Sequence, residues 1–512
     1  MIILNDKING FYLDEQQQNI VLDESDRLLV VAGAGSGKTL TILGKINYLI
    51  KYKNISPDKI LCISFTRDSS KGLKDKIKKE FNVSMPVYTF HKLALTLLSK
   101  RYEIADNNLL SDIINNFFTI KILESDFHMK LLLKYFNNYK FFNIKNNYLK
   151  FYNGNKQDIY QLSKIIETFI RLFKCNNYKI EDFSSFLKKI KRTISYKKFR
   201  KEKIFLIFTL NVYIEYENYL KENNEIDFDD MIINATKEVE NNGLKNKFEY
   251  VIIDEYQDTS VIRFNLIKSI LEKSKAKLMV VGDDFQSIYR FNGCDISLFL
   301  NFKDIFESAK VLKIETTYRN SQELVDVAGK FIMNNKYQIK KDLVSHKHNV
   351  KPVKIIKYKN KKDILLKIIN LITKENSSIM ILGRNNNDIN NYIDENFKVE
   401  KDGIINLKNR SIDLRYLTVH KSKGLEADNV VVINMDNDKL GFPSQIEEDK
   451  ILRLVNKSKE KFLYEEERRL FYVALTRTKN NVYLLTQKNK ESIFVKELEK
   501  EHKKNIEIIN YN

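Results

Sequence analysis

A glycine-rich loop near the start of the chain constrains the fold more than any other feature. An apolar run, residues 28–31, precedes the loop, and a segment with helical spacing, residues 40–50, follows it. The loop consists of Ala32, Gly33, Ala34, Gly35, Ser36, Gly37, Lys38 and Thr39. Strand, glycine loop and helix in this order form a phosphate-binding loop, in which backbone N–H groups and the helix dipole converge on phosphate oxygens. The chain is therefore predicted to be an α/β protein that binds a phosphorylated nucleotide.

Two residues of the loop have the chemistry that a nucleoside triphosphate requires. Lys38 is predicted to reach the β and γ phosphates, and the Thr39 hydroxyl to ligate Mg²⁺. Ala32 occupies the position at which the general pattern has its first glycine. A chance glycine-rich turn is the alternative interpretation, but the flanking strand and helix favour a nucleotide site.

An acidic pair in the middle of the chain supplies the other half of such a site. Asp254 and Glu255 directly follow the apolar residues 250–253, which read as a buried strand. Asp254 is placed to bind Mg²⁺, and Glu255 to act as general base on the attacking water. Alone, the pair could be a solvated strand end. Together with the loop it predicts a nucleoside triphosphatase.

The length of 512 residues exceeds what one hydrophobic core usually supports, so at least two domains are expected. Short β-branched runs alternate with helical stretches, which is typical of parallel sheets. In the first half, strands are predicted at 27–31, 60–65, 250–254 and 277–281. In the second half they are predicted at 311–314, 353–356, 379–382, 414–419, 430–433 and 482–485. These runs predict two sheets, one in each half.

Residues 99–203 interrupt this alternation, because their apolar residues follow helical spacing and show no clear strand pattern. We interpret them as a helical insertion. The predicted organisation is a first α/β domain made of residues 1–98 and 204–298, the insertion at 99–203, and a second α/β domain at 299–512.

Several classes of protein are disfavoured by the composition. No apolar run approaches the ~18 residues that cross a bilayer, and the N-terminus lacks a basic region followed by an apolar export segment. A cytoplasmic protein without membrane contact is therefore expected. Cys62, Cys175 and Cys294 are too far apart to indicate a disulfide framework or a zinc cluster.

The formal net charge of +20 favours a polyanionic partner such as a nucleic acid. The chain is also rich in Lys, Asn, Ile, Phe and Tyr, which an AT-rich genome would produce without any such partner. Charge alone leaves these two explanations open.

Two segments resemble the UvrD/Rep branch of superfamily 1 DNA helicases. They are Asp254-Glu255-Tyr256-Gln257-Asp258 and residues 282–290, Gly-Asp-Asp-Phe-Gln-Ser-Ile-Tyr-Arg. The flanking residues 223–230 and 291–295 look closest to the DNA helicase IV group, and motifs occur in family order from Gln17 to Arg477. The resemblance implies two RecA-like domains with ATP·Mg²⁺ between them and a DNA strand across their top, with 3′ to 5′ polarity.

The same resemblance assigns roles around the nucleotide. Gln17 would read the adenine edge, Tyr318 would stack on the base, and Gln286 would sense the γ-phosphate. Arg319 and Arg477 would reach the γ-phosphate from the second domain, and Glu426 would lie beside the nucleotide. A surface ion pair is the alternative for each arginine. Arg468 and Arg469 are interpreted as such pairs with residues 465–467 of the same helix.

A second set of residues matches the family's DNA-contacting motifs. The set is Phe65, Thr66, Thr89, His91, Tyr289, Phe291 and His420. Aromatic faces suit a single strand, because every base offers a surface for stacking. Core packing is the alternative for the aromatic residues, and a structural role is the alternative for the histidines. Phe291 stands where close relatives have Trp, so it offers less area for stacking. Asn292 stands where they often have Arg, so one phosphate contact is expected to be missing.

Only about thirty residues separate the predicted strand at 379–382 from the motif at Thr418, where larger relatives insert an accessory domain. This length cannot form an independent core, so that domain is expected to be largely absent and unwinding by the lone chain is in doubt. The expected partner is single-stranded DNA or a 3′-tailed duplex. Two alternatives stay open: a motor subunit or protein-displacing translocase with little unwinding, and a nucleotide-switched DNA-binding module. RNA is not excluded as the track.

Overall fold

The structure, a computed structural model, describes residues 6–140, 143–193, 195–373, 377–400, 402–408, 412–457 and 462–511. The ends of the predicted domains, residues 1–5 and 512, lie outside the described residues.

Eighteen strands form in the described part of the chain. They are β1 Arg27–Ala32, β2 Ile60–Ser64, β3 Val87–Thr89, β4 Glu103–Ile104, β5 Glu225–Ile226, β6 Tyr250–Ile253, β7 Lys277–Gly282, β8 Lys310–Ile314, β9 Thr316–Thr317, β10 Val344–Ser345, β11 Val353–Tyr358, β12 Ile379–Gly383, β13 Phe397–Val399, β14 Ile405–Leu407, β15 Leu414–Thr418, β16 Ala427–Val432, β17 Thr478–Gln487 and β18 Ile506–Tyr511.

Eighteen α-helices accompany them within the same described residues. They are α1 Glu15–Leu22, α2 Lys38–Lys51, α3 Arg67–Phe81, α4 Phe90–Leu97, α5 Leu109–Thr119, α6 Asp126–Tyr135, α7 Ile144–Gly154, α8 Lys156–Cys175, α9 Asp182–Thr193, α10 Tyr196–Glu222, α11 Phe228–Asn242, α12 Val261–Ser274, α13 Ser297–Leu300, α14 Phe302–Ile305, α15 Gln322–Met333, α16 Lys361–Ile372, α17 Glu465–Leu475 and α18 Ile493–Glu501.

Two six-stranded sheets organise the molecule. The first has the order β3-β2-β6-β7-β1-β8, and the second has the order β15-β12-β16-β17-β11-β18. Every neighbouring pair in both sheets is parallel. Parallel sheets are buried on both faces, and the strands β2, β6 and β12 are accordingly buried along their whole length. The predicted α/β class with two parallel sheets is confirmed.

The prediction that residues 311–314 belong to the second sheet is wrong. These residues lie in β8, which pairs with β1 from Leu28 opposite Lys310 to Ala32 opposite Ile314, and so completes the first sheet. A β-branched run reveals a strand but not its partner, and order along the chain was a poor guide to the partner here. Two strands of the sheets, β3 and β18, were not predicted.

The helical region has its own core, made by α5 to α10 around residues such as Phe169 and Phe205. Its last helix, α10, runs without a break from Tyr196 to Glu222 and so crosses the predicted boundary at 203/204. Ile451, Leu452 and Val455 of the second half pack into this core. The insertion, whose sequence lies within the first domain, therefore also packs against residues of the second half of the chain.

The segment between β12 and β15 contains the short antiparallel hairpin β13–β14. Phe397, Ile405 and Leu407 of this hairpin pack into the core beside the second sheet. Within its described residues, the segment therefore forms no core of its own, as predicted from its length.

Among the residues that the structure describes, no helix combines the length and the apolar character that crossing a bilayer requires. The three cysteines are buried and free.

Candidate nucleotide and nucleic-acid site

The glycine-rich loop runs from the end of β1 into the first turn of α2, as predicted. Gly35 and Gly37 adopt left-handed backbone conformations, with φ of 70° and 81°. A Cβ on Gly35 would lie 2.5 Å from Arg319 Cβ, and a Cβ on Gly37 would lie 2.7 Å from Gln17 Nε2. Two features therefore favour glycine at both positions: the left-handed backbone conformation and the close approach of a neighbouring side chain.

Lys38 and Glu255 hold each other at the centre of the site. Lys38 Nζ lies 2.8 Å from Glu255 Oε1, and Gln257 Nε2 donates to Glu255 Oε2 at 2.5 Å. Burial would raise the pKa of Glu255, but Lys38 and Lys423 together lower this pKa to about 2. Burial would likewise lower the pKa of Lys38, and Glu255 and Asp254 raise it instead. Glu255 is therefore held as a carboxylate and Lys38 as a cation.

Asp254 precedes Glu255 at the end of β6. Its Oδ1 accepts a hydrogen bond from the Glu255 backbone N–H at 2.9 Å. Burial and the negative charge of Glu255 raise the pKa of Asp254 to about 6. A further cation near this carboxylate would be stabilising. Thr39 lies in the first turn of α2, next to Lys38, and its hydroxyl is the other group predicted to ligate a metal.

Mg²⁺ suits this donor set. Within the described residues there is no group of three or more His, Cys, Asp and Glu side chains arranged to hold a metal. Mg²⁺ is commonly bound by one or two protein oxygens, with substrate phosphates and water completing the octahedron. One carboxylate and one hydroxyl are compatible with that pattern.

Residues of the second half lie directly on the loop. Thr317 Oγ1 donates to the Ala34 carbonyl at 2.7 Å, and the Tyr318 backbone N–H donates to the Gly35 carbonyl at 3.0 Å. Ala34 itself belongs to the apolar core beside the second sheet. The segment that contains Arg319 thus covers the loop through hydrogen bonds to its backbone carbonyls.

Arg319 and Arg477 are brought together at this point. Arg319 Nε donates to Glu426 Oε2 at 2.8 Å, and Arg477 Nη2 donates to Gln286 Oε1 at 3.2 Å. Arg477 is buried, and burial together with the positive charge of Arg319 lowers its pKa to about 9. Glu255 acts on Arg477 in the opposite direction. Arg477, from one half of the chain, therefore lies within electrostatic reach of Glu255 from the other half, and Arg319 lies against Gly35 of the loop.

Gln17 and Tyr318 lie on the far side of the loop, next to each other. The buried Gln17 donates from Nε2 to the Ser36 carbonyl at 3.2 Å. Tyr318 Oη donates to Asp14 Oδ2 at 2.7 Å, and its side chain is 47% exposed. Asp14 is also the residue that caps α1 by accepting from the Gln17 backbone N–H. A buried amide beside an exposed ring is a suitable arrangement for recognising and stacking a base.

Lys423 was not identified as a site residue from the sequence. Its Nζ donates to the Gln286 carbonyl at 2.8 Å, lies 2.5 Å from Asp258 Oδ2 and lies 3.9 Å from Glu255 Oε2. It also lies 5.0 Å from the centre of the Tyr289 ring. The local signal was its place between His420 and Glu426, two residues to which the family resemblance assigns roles. Lys423 connects the carboxylates of the site to the aromatic residues described next.

Four of the seven residues predicted to contact DNA form one aromatic column: Phe65, Tyr289, Phe291 and His420. Phe65 and Tyr289 stack with ring centres 5.5 Å apart, and Phe291 meets Tyr289 at 6.1 Å and His420 at 5.4 Å in edge contacts. Phe291 is 52% exposed. Burial, with a smaller contribution from Arg384, lowers the pKa of His420 to about 4, so this histidine is neutral at pH 7.

The other three lie at the starts of helices. Thr66 caps α3 by accepting from the Ser69 backbone N–H at 3.1 Å, and Thr89 caps α4 by accepting from the Lys92 backbone N–H at 3.3 Å. His91 packs edge-on against Phe228, with ring centres 5.1 Å apart. Each has a structural role here, which leaves their contact with DNA a prediction.

The interpretation of Arg468 as a pair within its own helix is wrong. Arg468 binds both carboxylate oxygens of Glu497 on α18, at 2.5 and 2.9 Å. Arg469 does pair with Glu465 at 3.0 Å, but it is buried and also donates to the Ser287 carbonyl at 2.7 Å. Spacing along a helix does not exclude a partner on a neighbouring helix.

Comparisons with known proteins agree with this geometry. A family model described as the UvrD/REP helicase N-terminal domain matches residues 13–307, and one described as the UvrD-like helicase C-terminal domain matches residues 405–489.

Three individual proteins illustrate the similarity. DNA helicase IV of Escherichia coli (strain K12) is 27% identical over 494 residues, which cover 94% of this chain and 69% of that protein. The ATP-dependent DNA helicase Rep of Buchnera aphidicola subsp. Acyrthosiphon pisum is 30% identical over 373 residues, covering 71% of this chain and 52% of that protein. A probable DNA helicase of Mycoplasma pneumoniae is 28% identical over 517 residues, covering 96% and 88%. The chain thus spans about half the length of the Rep protein and most of the length of the Mycoplasma protein.

Proposed function

Because the first family match alone covers more than half of the chain, this protein belongs to the UvrD/Rep family of DNA helicases, and we propose that it is an ATP-dependent translocase and helicase on single-stranded DNA. We propose 3′ to 5′ movement, hydrolysis at the interface of two RecA-like domains, and a cytoplasmic location. One observation supports this most strongly: at the junction of the two halves, Arg319 lies against Gly35 of the phosphate loop and Arg477 lies near Glu255, which pairs with Lys38.

The proposed division of the chain follows the sheets. The first RecA-like domain comprises residues 1–98 and 204–298 together with β8, and the helical insertion lies at 99–203. The last helix of the insertion, α10, runs on to Glu222 and so joins the insertion to the first domain. The remaining residues up to 512 form the second domain. ATP would lie between the first and second RecA-like domains.

Each nucleotide-site residue has a proposed role that matches its surroundings. Gln17 and Tyr318 hold adenine, the N–H groups of residues 33–39 and the Lys38 ammonium hold the phosphates, and Glu426 lies beside the nucleotide. Thr39 and Asp254 would hold Mg²⁺, which when bound supplies charge neutralisation to the phosphate oxygens. Glu255 accepts the proton of the attacking water.

Binding of ATP requires the present ion pairs to exchange partners. Lys38 has to leave Glu255 for the phosphates, and this exchange releases Glu255 to act on water. Arg319 and Arg477 supply positive charge to the γ-phosphate as its bond breaks. Because these arginines and Lys38 lie on opposite sides of the junction, ATP draws the two domains together and hydrolysis lets them separate.

DNA would lie along the aromatic column at the outer edge of the same junction. Tyr289 Oη donates to the His420 carbonyl at 3.1 Å, so a ring from the first domain is bonded to the second. Lys423 joins this column to Gln286 and Asp258. A strand that stacks on the column can therefore affect the residues around the γ-phosphate.

Replacement of Phe291 with alanine tests the column. We expect the single-stranded DNA concentration needed for half-maximal ATP hydrolysis to rise about tenfold, since stacking contributes ~1–3 kcal/mol per base. Hydrolysis without DNA is expected to stay within about twofold, because the Phe291 ring packs on Tyr289 and His420 of the column. The variant Phe127→Ala removes an equally exposed phenylalanine from the helical insertion and is the matched control. An equal loss of basal and DNA-stimulated rates in Phe291→Ala would contradict the role.

The function itself is tested by measuring ATP hydrolysis with and without single-stranded DNA, together with displacement of strands from 3′-tailed and 5′-tailed duplexes. Stimulation by DNA and displacement only from the 3′ tail are expected. Stimulation without displacement would favour a protein-displacing translocase or a motor subunit, which the short connection between β12 and β15 makes the second candidate. Binding of DNA without appreciable ATP turnover would instead indicate a nucleotide-switched binding module. Stimulation of ATP hydrolysis by RNA alone would mean that the protein moves along RNA and not along DNA.

A further inference from the structure

The chain between α15 and β10 returns from the second domain to the first. Helix α15 packs in the core beside the second sheet through residues such as Leu324 and Phe331. The residues after it turn back, because Ile339 packs against the core beside the first sheet. Leu343 lies directly against the phosphate loop, since a Cβ on Gly33 would be 2.5 Å from Leu343 Cδ2. We name residues 336–343 the strap.

Lys341 is the one fully buried cation of the strap. Its side chain has 0% exposure, and its ammonium forms ion pairs with Asp283 and, at 2.6 Å, with Asp284. The ammonium also lies 3.5 Å from the centre of the Phe285 ring. Asp284 Oδ2 accepts a second bond from the strap, from the Ile339 backbone N–H at 2.8 Å. Two adjacent buried carboxylates without this cation would be strongly unfavourable, so the strap and residues 283–285 hold each other in place.

The contact continues into the nucleotide site through Asp283. Asp283 Oδ1, the oxygen that meets Lys341, also accepts from the Phe285 backbone N–H at 3.1 Å. Asp283 Oδ2 accepts from Gln286 Nε2 at 2.6 Å. Because an amide presents its nitrogen as donor and its oxygen as acceptor, this bond turns Gln286 Oε1 away from Asp283, and Oε1 accepts from Arg477 Nη2. A chain of contacts thus runs from Lys341 through Asp283 and Gln286 to Arg477.

We propose that Lys341 is a positioning residue: by fixing Asp283 it sets the orientation of the Gln286 amide toward Arg477 and, if the proposed function is correct, toward the γ-phosphate of ATP. Lys341 contacts Asp283, Asp284 and Phe285, none of which is assigned to hold the nucleotide or the metal. Its removal therefore affects how fast bound ATP is hydrolysed rather than how tightly ATP binds. The strap begins at a helix of the second domain, so its seating on Asp283 depends on where that domain lies.

Substitution of Lys341 by methionine tests the proposal, because methionine keeps an unbranched side chain as far as Cε and removes the ammonium. Lys340→Met is the matched control, since Lys340 is the neighbouring strap residue and its side chain is 76% exposed. Hydrogen–deuterium exchange of the backbone amides of residues 283–287 is measured in both variants without nucleotide. These amides are held by bonds such as Phe285 N–H to Asp283 Oδ1 and Asp283 N–H to Gln257 Oε1. We expect exchange at least about tenfold faster in Lys341→Met and unchanged in Lys340→Met.

Steady-state hydrolysis is then compared in the same two variants. For Lys341→Met we expect kcat to fall at least about tenfold with KM for ATP within about twofold, and for Lys340→Met no change in either. If the unmodified protein hydrolyses no ATP, the proposed function fails, whereas the exchange of residues 283–287 still decides the role of Lys341. If Lys341→Met does not fold, the double variant K341M/D284N, which also removes a carboxylate, is measured in its place with the same expectations. The proposal would be overturned if the amides of residues 283–287 in Lys341→Met exchanged as slowly as in the unmodified protein. It would also be overturned if kcat fell and KM for ATP rose by a similar factor.

Discussion

Replacing Arg477 with alanine is expected to lower DNA-stimulated ATP hydrolysis by about 10³-fold or more, because an arginine that meets the γ-phosphate contributes roughly 10³ to 10⁵ in rate. Arg477 is buried, with its guanidinium on Gln286 Oε1 and near Arg319. Alanine therefore removes a positive charge that solvent does not restore at this buried position. Arg319 is paired with Glu426 and still lowers the pKa of Arg477, so a bound triphosphate would add favourable negative charge beside both guanidinium groups. ATP affinity should fall much less than turnover, because Lys38 and the loop N–H groups remain.

The measurement is single-turnover hydrolysis at saturating single-stranded DNA, with the affinity for a fluorescent ATP analogue determined separately. Arg468→Ala is the control from α17, the helix that ends two residues before Arg477, since Arg468 binds Glu497 and packs 4.4 Å over the Phe331 ring, away from the loop. We expect Arg468→Ala to lower the thermal midpoint and to leave turnover within about twofold. Normal turnover in a folded Arg477→Ala protein would remove Arg477 from the nucleotide site and, with it, the proposed closure of the two domains.

The parts of the site that could be predicted from the sequence are those whose residues are neighbours in the chain. The phosphate loop is contiguous with the strand and helix that shape it, so residues 28–50 alone identify it. Asp254 and Glu255 are recognisable because they end an apolar run. That Arg319 lies against the phosphate loop and Arg477 near Glu255 could be predicted only through the resemblance to a family, since no periodicity relates residues so far apart.

The residues that were missed make their contacts over long separations. Lys341 meets Asp283 58 residues earlier, and Lys423 meets Asp258 165 residues earlier. Both lysines look like surface charges in a chain that contains 87 Lys and Arg. Burial is what distinguishes them, and burial follows from the packing of the two domains rather than from any local pattern.

The fold shows the same division. Ten of the twelve strands in the two large sheets were predicted, because the β-branched runs that reveal a strand are local. The membership of β8 in the first sheet depends instead on its pairing with β1. Thr66 and Thr89 illustrate a different limit. A threonine before a helix is a signal for an N-cap as much as for a DNA contact, and both residues do cap their helices.

Glu255→Gln is expected to lower the rate of hydrolysis by about 10²- to 10⁴-fold while ATP binding is preserved or strengthened. The loss of rate follows because the amide cannot accept the proton of the attacking water. The effect on binding follows from the Lys38–Glu255 ion pair at 2.8 Å, which ATP has to break. In the variant Lys38 faces a neutral amide, so the ammonium is transferred to the phosphates at a smaller cost. Gln keeps the size of Glu, and its Oε1 can still accept the hydrogen bond from Gln257 Nε2.

Equilibrium binding of a fluorescent ATP analogue and single-turnover hydrolysis, both with Mg²⁺, separate these two effects. Glu249→Gln is the control, because Glu249 is an exposed carboxylate just before the opposite end of β6 and should change neither quantity. A Glu255→Gln protein that hydrolyses normally would assign the base to another group, with Asp254 the nearest carboxylate. If Glu255→Gln lost ATP affinity together with turnover, Glu255 would hold the nucleotide or its metal instead of activating water. A residue that acts only after ATP has bound can be replaced without weakening the complex.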